Sequence, residues 1–408
     1  MKIVEINSCN FGSTGNIMLQ IVQAARECGH EVITSCPASR SNSRKEVQDQ
    51  ILIGNRFSRN VHLFLGEATG MNGLFSVGST LRFLRMLDKL HPDLIHLHNL
   101  HNCYINLPLL FRYIKKHNIS VVWTLHDCWA FTGRCPYFQL SGCDRWKTGC
   151  HDCPYPQNEY PATKKDRSNF LWKMKKKWFT GVQNMTIVTP SQWLADLVKE
   201  SFLSEYPVKV INNGIDLNVF KPSENDFRIV NGLEGKKLIL AVAMGWDKRK
   251  GYADMLELAK ILDSQYRIVM VGVSKEQLAT LPSNILGIER TNSQKELAEI
   301  YSASDVFVNT TYEDNYPTVN LEARACGLPV ITYKTGGSPE SAGADATLVE
   351  TGDVQGLKTA IEQVIGKKNV TIRREEISSE EKFAEYTEQY NSVCVGGGYS
   401  QLDKDITV

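Results

Sequence analysis

Asp305-Val306-Phe307-Val308-Asn309-Thr310-Thr311-Tyr312-Glu313-Asp314-Asn315-Tyr316-Pro317-Thr318-Val319-Asn320-Leu321-Glu322-Ala323 is the stretch on which the reading of this chain turns. A short β-rich apolar run ends at Asn309 in a polar loop, as a buried strand does. Pro317 suits the first turn of a helix, where the N–H it lacks would have no partner anyway. Glu322 then falls inside that helix. The unpaired N–H groups and partial positive charge of a helix N-terminus suit a diphosphate, here at Tyr316, Pro317 and Thr318. A carboxylate about one turn further on can accept two hydrogen bonds from a vicinal diol such as ribose. Next come Ala325-Cys326-Gly327-Leu328-Pro329-Val330-Ile331 and Gly336-Gly337-Ser338-Pro339-Glu340.

Outward from this point the same unit repeats. Strands are expected at 238–244, 267–272, 284–288 and 330–333, with helices at 252–262, 294–302 and 318–326. An earlier series places strands at 2–7, 31–36, 93–98, 120–125, 185–189 and 208–211, and helices at 15–28, 106–117, 166–180 and 191–201. Alternation of this kind predicts an α/β fold with two Rossmann-like domains and parallel sheets. The turn Asn212-Asn213-Gly214-Ile215-Asp216 and the polar run 221–231 mark the linker. The expected domains are 1–212, with a Cys-rich loop at 128–156, and 213–378; 379–393 is a helix crossing back to the first domain and 394–408 a flexible tail. Ligands bind at the carboxyl ends of such strands, so a cleft between facing domains is the expected site.

The totals agree with a soluble globular chain too long for one ordinary domain: 408 residues, 42% hydrophobic and 22% charged. The net charge of +1 hides an asymmetry, with 24 Lys+Arg against 16 Asp+Glu in residues 1–205 and 22 against 29 in 206–408. Either the basic half meets an anionic partner, such as a membrane surface or phosphorylated acceptor, or the two domains attract each other. The N-terminal Met1-Lys2-Ile3-Val4-Glu5-Ile6 carries an acid in its apolar run and reads as a strand rather than a signal peptide. No run of 18 apolar residues is present to span a bilayer. Eleven cysteines without an export signal argue for a reducing, cytoplasmic setting.

In these residues and their order, the chain resembles the retaining GT-B glycosyltransferases of family four along nearly its whole length. The motifs are Asp314 and Glu322 with seven residues between them, Ala325-Cys326-Gly327 with Pro329-Val330, and Gly29-His30-Glu31-Val32. Pro190-Ser191, Asn213-Gly214-Ile215-Asp216 with Phe220, and Lys250-Gly251 complete the set. The resemblance implies transfer of a sugar from a UDP- or GDP-sugar to a glycan or lipid-linked acceptor, in exopolysaccharide, capsule or other surface glycan synthesis. It implies front-face substitution assisted by the leaving diphosphate, with no protein nucleophile and no cofactor required for catalysis. Lys250 would neutralise that diphosphate, Glu322 would hold the ribose, and His126 would meet the donor sugar; Asp314 stands where the family has Glu. The family's usual Arg ahead of the Lys-Gly pair is Trp246 here, and Arg249 or Lys248 is the candidate to stand in. Gly12 and Gly15, in a loop after the first strand, would let backbone approach the donor.

Cys135, Cys143, Cys150 and Cys153 form a cluster for structural zinc, a subgroup of the family carrying a similar insertion; unligated or redox-active thiols are the alternative. His96, His98 and His101 are either a metal triad or loop histidines. The helix holding Lys173, Lys175, Lys176 and Lys177 either lies on an anionic bilayer or packs a Phe170, Met174, Trp178 stripe inward with its lysines solvated. No nucleic-acid motif accompanies it. Asp403-Lys404-Asp405 reads as part of a solvated terminus. Two other readings share the fold: a nucleotide-sugar epimerase, and an idle nucleotide-sugar-binding or scaffold subunit.

Overall fold

The computed structural model describes residues 1–44, 46–154, 163–366 and 374–402. The chain forms two units, Met1–Ile211 with the chain from Phe383 onward, and Asn212–Lys382. In the first unit, β1 (Lys2–Ile6), β2 (Glu31–Pro37), β3 (Gln50–Ile53), β4 (Leu94–Leu97), β5 (Ser120–Thr124), β6 (Met185–Thr189) and β7 (Val208–Val210) make one sheet. Its order is β3-β2-β1-β4-β5-β6-β7 and every pairing is parallel. The central strands are buried on both faces because helices cover both, and most of their side chains are apolar. Val4, Ile6, Ile95, Leu97, Val121 and Trp123 pack on one side with the helices Val77–Leu90 and Leu107–His117. Ile3, Leu94, Val122 and Val188 pack on the other with the helix Gly12–Glu27 and with Phe383, Tyr386 and Tyr390.

Those three aromatic residues belong to the helix Ser379–Leu402. The helix expected over 379–393 therefore runs on to Leu402, into the span where a flexible tail was expected. Asp403-Lys404-Asp405 lies outside the described residues.

In the second unit, β8 (Lys237–Val242), β9 (Tyr266–Val271), β10 (Ile285–Ile288), β11 (Val306–Asn309), β12 (Val330–Tyr333) and β13 (Thr347–Val349) make a second parallel sheet, ordered β10-β9-β8-β11-β12-β13. Each sheet winds outward from its first strand in both directions. Its topological switch point falls between β1 and β4 in one and β8 and β11 in the other, and loops diverging there leave a crevice at the strands' carboxyl ends. Among the described residues, no helix is long and apolar enough to cross a membrane.

Candidate functional site

At the second switch point, the loops after β8 and β11 interlock. Lys250 Nζ lies 2.5 Å from Asp314 Oδ2, both side chains being mostly buried, and the Asp314 Oδ1 accepts from the Asn315 N–H at 2.9 Å. Arg249 donates from Nη1 to the Glu313 carbonyl at 3.3 Å, and its own carbonyl accepts from the Tyr312 N–H at 2.8 Å. Gly251 caps the next helix with φ +73°, and a Cβ on it would overlap the Thr310 carbonyl. Gly336 holds the loop from the other side, at φ +54°, where a Cβ would overlap the Asp314 carbonyl. Both glycines are thus required by close backbone approach as well as by conformation.

Trp246, in place of the family's Arg, serves packing. It is 8% exposed, joins the core beneath β8 and β9, and donates from Nε1 to the Val271 carbonyl at 2.9 Å.

Pro317 is the N-cap of the helix Thr318–Ala325, and Tyr316 before it is buried. Glu322, half-buried on that helix, accepts from the Tyr301 hydroxyl at 3.0 Å. Burial pushes its carboxyl up to about 7, against the opposing hydrogen bonds from Tyr301 and Thr318. A buried amide fixes the helix: the Asn320 amide donates to the Ser338 carbonyl at 3.1 Å and the Ser341 hydroxyl at 2.9 Å, and its carbonyl accepts from Asn309 at 2.9 Å. Sequence reasoning missed Asn320, Asn309 and Tyr301. The Asn320 signal was available, since an amide on the buried side of an amphipathic helix needs partners.

In the first unit, the helix begins at Gly12, so Gly12 and Gly15 form its first turn rather than a loop ahead of it. A Cβ on Gly15 would lie 2.7 Å from the Asn10 carbonyl carbon, so this turn sits hard against the loop leaving β1.

His126 follows β5 and is 8% exposed. It does not stand alone. His98 Nδ1 lies 3.0 Å from His126 Nε2, and His98 Nε2 lies 2.8 Å from the carboxylate of Glu5. His96 lies within β4, which corrects its reading as a loop histidine, and His98 directly follows the strand; both are buried. His101, by contrast, is in a loop and pairs with Asp127 at 3.0 Å. Among the described residues, the compact group of possible metal ligands is Glu5, His96 and His98, without His101.

The four loop cysteines line a single pocket together with Arg134, Phe138 and Ser168. Tetrahedral zinc needs sulfurs about 3.8 Å apart, whereas among the described residues no three of these sulfurs lie within 4.8 Å of one another. Burial raises the Cys135 thiol to about 12 and the Cys150 thiol to about 11. The geometry gives the zinc expectation no support.

Beneath this loop lies Lys175, whose ammonium is buried, bonded to the Trp129 and Thr132 carbonyls at 2.7 and 3.1 Å and 3.5 Å from the Trp129 ring centre. It was expected among the solvated lysines. The inward stripe of Ser168–Phe179 is instead Leu171, Trp172, Lys175 and Phe179, with Phe170 exposed. Two carbonyls and an indole face replace water around the ammonium, and burial still lowers it to about 7.

This chain matches a family model described as Glycosyltransferase Family 4 over residues 14–219, and one described as Glycosyl transferases group 1 over residues 236–367. It is 31% identical over 249 residues to WcaC of Escherichia coli (strain K12), described as a colanic acid biosynthesis glycosyl transferase, covering 59% of each chain. To sulfoquinovosyl transferase SQD2 of Arabidopsis thaliana it is 27% identical over 219 residues, 49% of this chain and 42% of that one. The matches thus span roughly half the length of these relatives. Among solved structures, sucrose-phosphate synthase from Thermosynechococcus elongatus superposes with a TM-score of 0.65 at 16% identity, over 99% of both chains. Anabaena HepE, solved in complex with UDP-glucose, gives 0.63 at 15% identity, over 99% of this chain and 100% of its own. These share the GT-B fold. The chain belongs to Glycosyltransferase Family 4.

Proposed function

We propose that this protein is a glycosyltransferase that moves a sugar from a nucleoside diphosphate donor to a glycan or lipid-linked acceptor. The observation that carries the reading is the meeting of Lys250 and Asp314 at the switch point of the second sheet, with Glu322 on the helix that the same loop enters. A cation at the start of that helix suits a diphosphate, and a carboxylate on its second turn suits a ribose diol. HepE, with the same fold, was solved with UDP-glucose, and UDP is accordingly the first nucleotide to try. His126 meets the sugar, and the diphosphate leaves with Lys250 neutralising its growing charge. A panel of UDP- and GDP-sugars, assayed for nucleotide release and product, tests the reading; binding or turnover of none of them would contradict it.

Glu322 makes nucleotide affinity pH-dependent. Its carboxyl titrates near 7 in the free protein, and only the carboxylate can accept from both ribose hydroxyls. Affinity is therefore full above that pH and falls by up to about tenfold per pH unit below it. The terminal phosphate of UDP titrates in the same window, so Glu322→Gln is the reference, and the slope it retains belongs to the phosphate. Calorimetric titration from pH 8 to pH 5.5 is expected to show a steeper loss in the unmodified protein. Equal slopes would contradict the ribose assignment.

Contact with an anionic bilayer is supported by a groove in the first unit, lined by Arg112, Lys115, Lys116 and Lys177 beside Pro108, Met174 and Trp178. Each lysine near such a surface contributes about 1 kcal/mol. Lys116→Ala is expected to weaken sedimentation with phosphatidylglycerol vesicles about fivefold, with no binding to neutral vesicles by either protein. Equal binding to both vesicle types would remove this contact.

A further inference from the structure

His126 is hydrogen-bonded to a buried polar cluster through His98. Glu5 on β1 stands beside His96 on β4 in the sheet register. Glu5, His96, His98, Tyr386 and Tyr390 are all within 1% of complete burial. The Glu5 carboxylate has three partners: His98 Nε2 at 2.8 Å, His96 Nδ1 at 3.0 Å and the Tyr390 hydroxyl at 2.9 Å. His96 Nε2 reaches the Thr124 hydroxyl at 2.8 Å, which in turn contacts Tyr386. Glu5, His96 and His98 also carry ligand atoms close enough together to surround a cation. Their mutual hydrogen bonds already account for those distances.

Hydrogen-bond direction along this cluster is determined. An ionised carboxylate only accepts, so the proton of a neutral His98 sits on Nε2 and is donated to Glu5. The Nδ1 of His98 is then a lone pair and must accept, and its partner is Nε2 of His126 at 3.0 Å. The two rings are nearly parallel, 12° apart, with centroids separated by 5.3 Å. With their nitrogens closer than their centres, they meet edge to edge, as an N–H···N hydrogen bond requires. Burial alone would raise the Glu5 carboxyl, yet His96 and His98 hold it down at about 2; burial lowers His98 to about 4 and His126 well below its ordinary value. Both imidazoles are neutral near pH 7, so each has a tautomer to be fixed.

We propose that Glu5, acting through His98, is a positioning residue that fixes His126 as the Nε2–H tautomer, so that its Nδ1 is a hydrogen-bond acceptor. Resting on the reading that His126 meets the donor sugar, this makes His126 an acceptor for a sugar hydroxyl rather than a proton donor to the sugar. The carboxylate–imidazole couple, familiar from hydrolases as a tautomer-setting device, here extends by a second imidazole.

The test is the imidazole nitrogen spectrum of full-length protein labelled with ¹⁵N-histidine, with the His126 signals assigned by their loss in His126→Gln. The expected result is a protonated Nε2 and an unprotonated Nδ1 in the unmodified protein. Glu5→Gln presents an amide that can donate or accept, and His126 is then expected to show mixed or reversed tautomers. Turnover should fall roughly 10- to 100-fold, the scale on which outer partners of a functional histidine act, while UDP affinity stays unchanged. His62→Gln removes another buried, hydrogen-bonded histidine of the same unit; it controls for lost stability and should leave the His126 signals in place. A His126 protonated on Nδ1 in the unmodified protein overturns the proposal, and that measurement needs no variant to fold. So does a Glu5→Gln protein whose His126 tautomer and turnover are both unchanged. If the tautomer shifts in Glu5→Gln while His126→Gln keeps full turnover, the positioning holds and the sugar-contact reading of His126 fails.

Discussion

Replacing Lys250 with alanine is expected to lower turnover by about 10²–10³, or roughly 3–4 kcal/mol of barrier, with a much smaller effect on donor affinity. The split follows from when the interaction is strongest. Charge grows on the leaving diphosphate as the glycosidic bond breaks, so a cation there acts chiefly in the transition state. In the free protein this cation is held by Asp314 at 2.5 Å. Lys250→Ala therefore removes a positive charge and also leaves a mostly buried carboxylate unpaired beside the diphosphate. The double variant Lys250→Ala/Asp314→Asn separates these effects. Recovery of part of the turnover in the double variant would assign that part to repulsion by Asp314; the remainder belongs to the lost ammonium. Full turnover in Lys250→Ala, measured by nucleotide release at saturating donor and acceptor, would remove Lys250 from the mechanism.

Glu322→Ala is expected to weaken UDP binding on the order of 100-fold, since two charge-assisted hydrogen bonds to the ribose are lost at about 1.5 kcal/mol or more each. The variant should remain folded. The Tyr301 hydroxyl that donates to Glu322 also reaches the Val319 carbonyl at 3.3 Å and keeps that partner. The carboxyl itself weighs on the fold. Its value is raised from 4.5 to about 7, so the folded state is penalised as pH rises through that window. The free protein carrying Glu322→Ala is therefore expected to melt at the same temperature or higher at pH 8, while losing nucleotide affinity. A residue that burdens the free fold and strengthens the complex is the mark of a binding group. Calorimetric titration with UDP checks the affinity, and wild-type affinity in the variant would contradict the ribose role.

Much of the fold was legible because parallel strands buried on both faces announce themselves as apolar runs. The twofold alternation gave the two sheets and put the break near Asn212. Elements with mixed surfaces were harder. The helices Arg56–Thr69 and Val77–Leu90 lie in a stretch from which no element was read, and they expose Phe57, Phe64, Val77 and Leu81 among buried neighbours, blurring the periodicity. Ser168–Phe179 was assigned the wrong inward stripe because Lys175 looks like a surface residue. Only the tertiary structure brings the Trp129 and Thr132 carbonyls to its ammonium.

The site was legible where its residues are consecutive or a helical turn apart. Asp314, Pro317 and Glu322 follow from local geometry and family spacing, and Lys250 proves to be their neighbour across β8 and β11. The cluster behind His126 was not legible. Glu5 and Tyr390 are 385 positions apart and share a hydrogen bond at 2.9 Å. A glutamate inside a central strand signalled that something would pair with it, yet the partner could come only from the three-dimensional arrangement. Trp246 is the converse case, since a departure from the family's pattern turned out to be a core residue with its indole N–H satisfied.

The measurement that bears most directly on the central claim is nucleotide release and sugar transfer across a panel of UDP- and GDP-sugars, followed by NMR of the product's anomeric proton. One preferred donor is expected, with release of its nucleoside diphosphate coupled to transfer, the donor's anomeric configuration kept in the product, and turnover that collapses in Lys250→Ala. Turnover of no donor in the panel, or a preferred donor used equally well without Lys250, would contradict it.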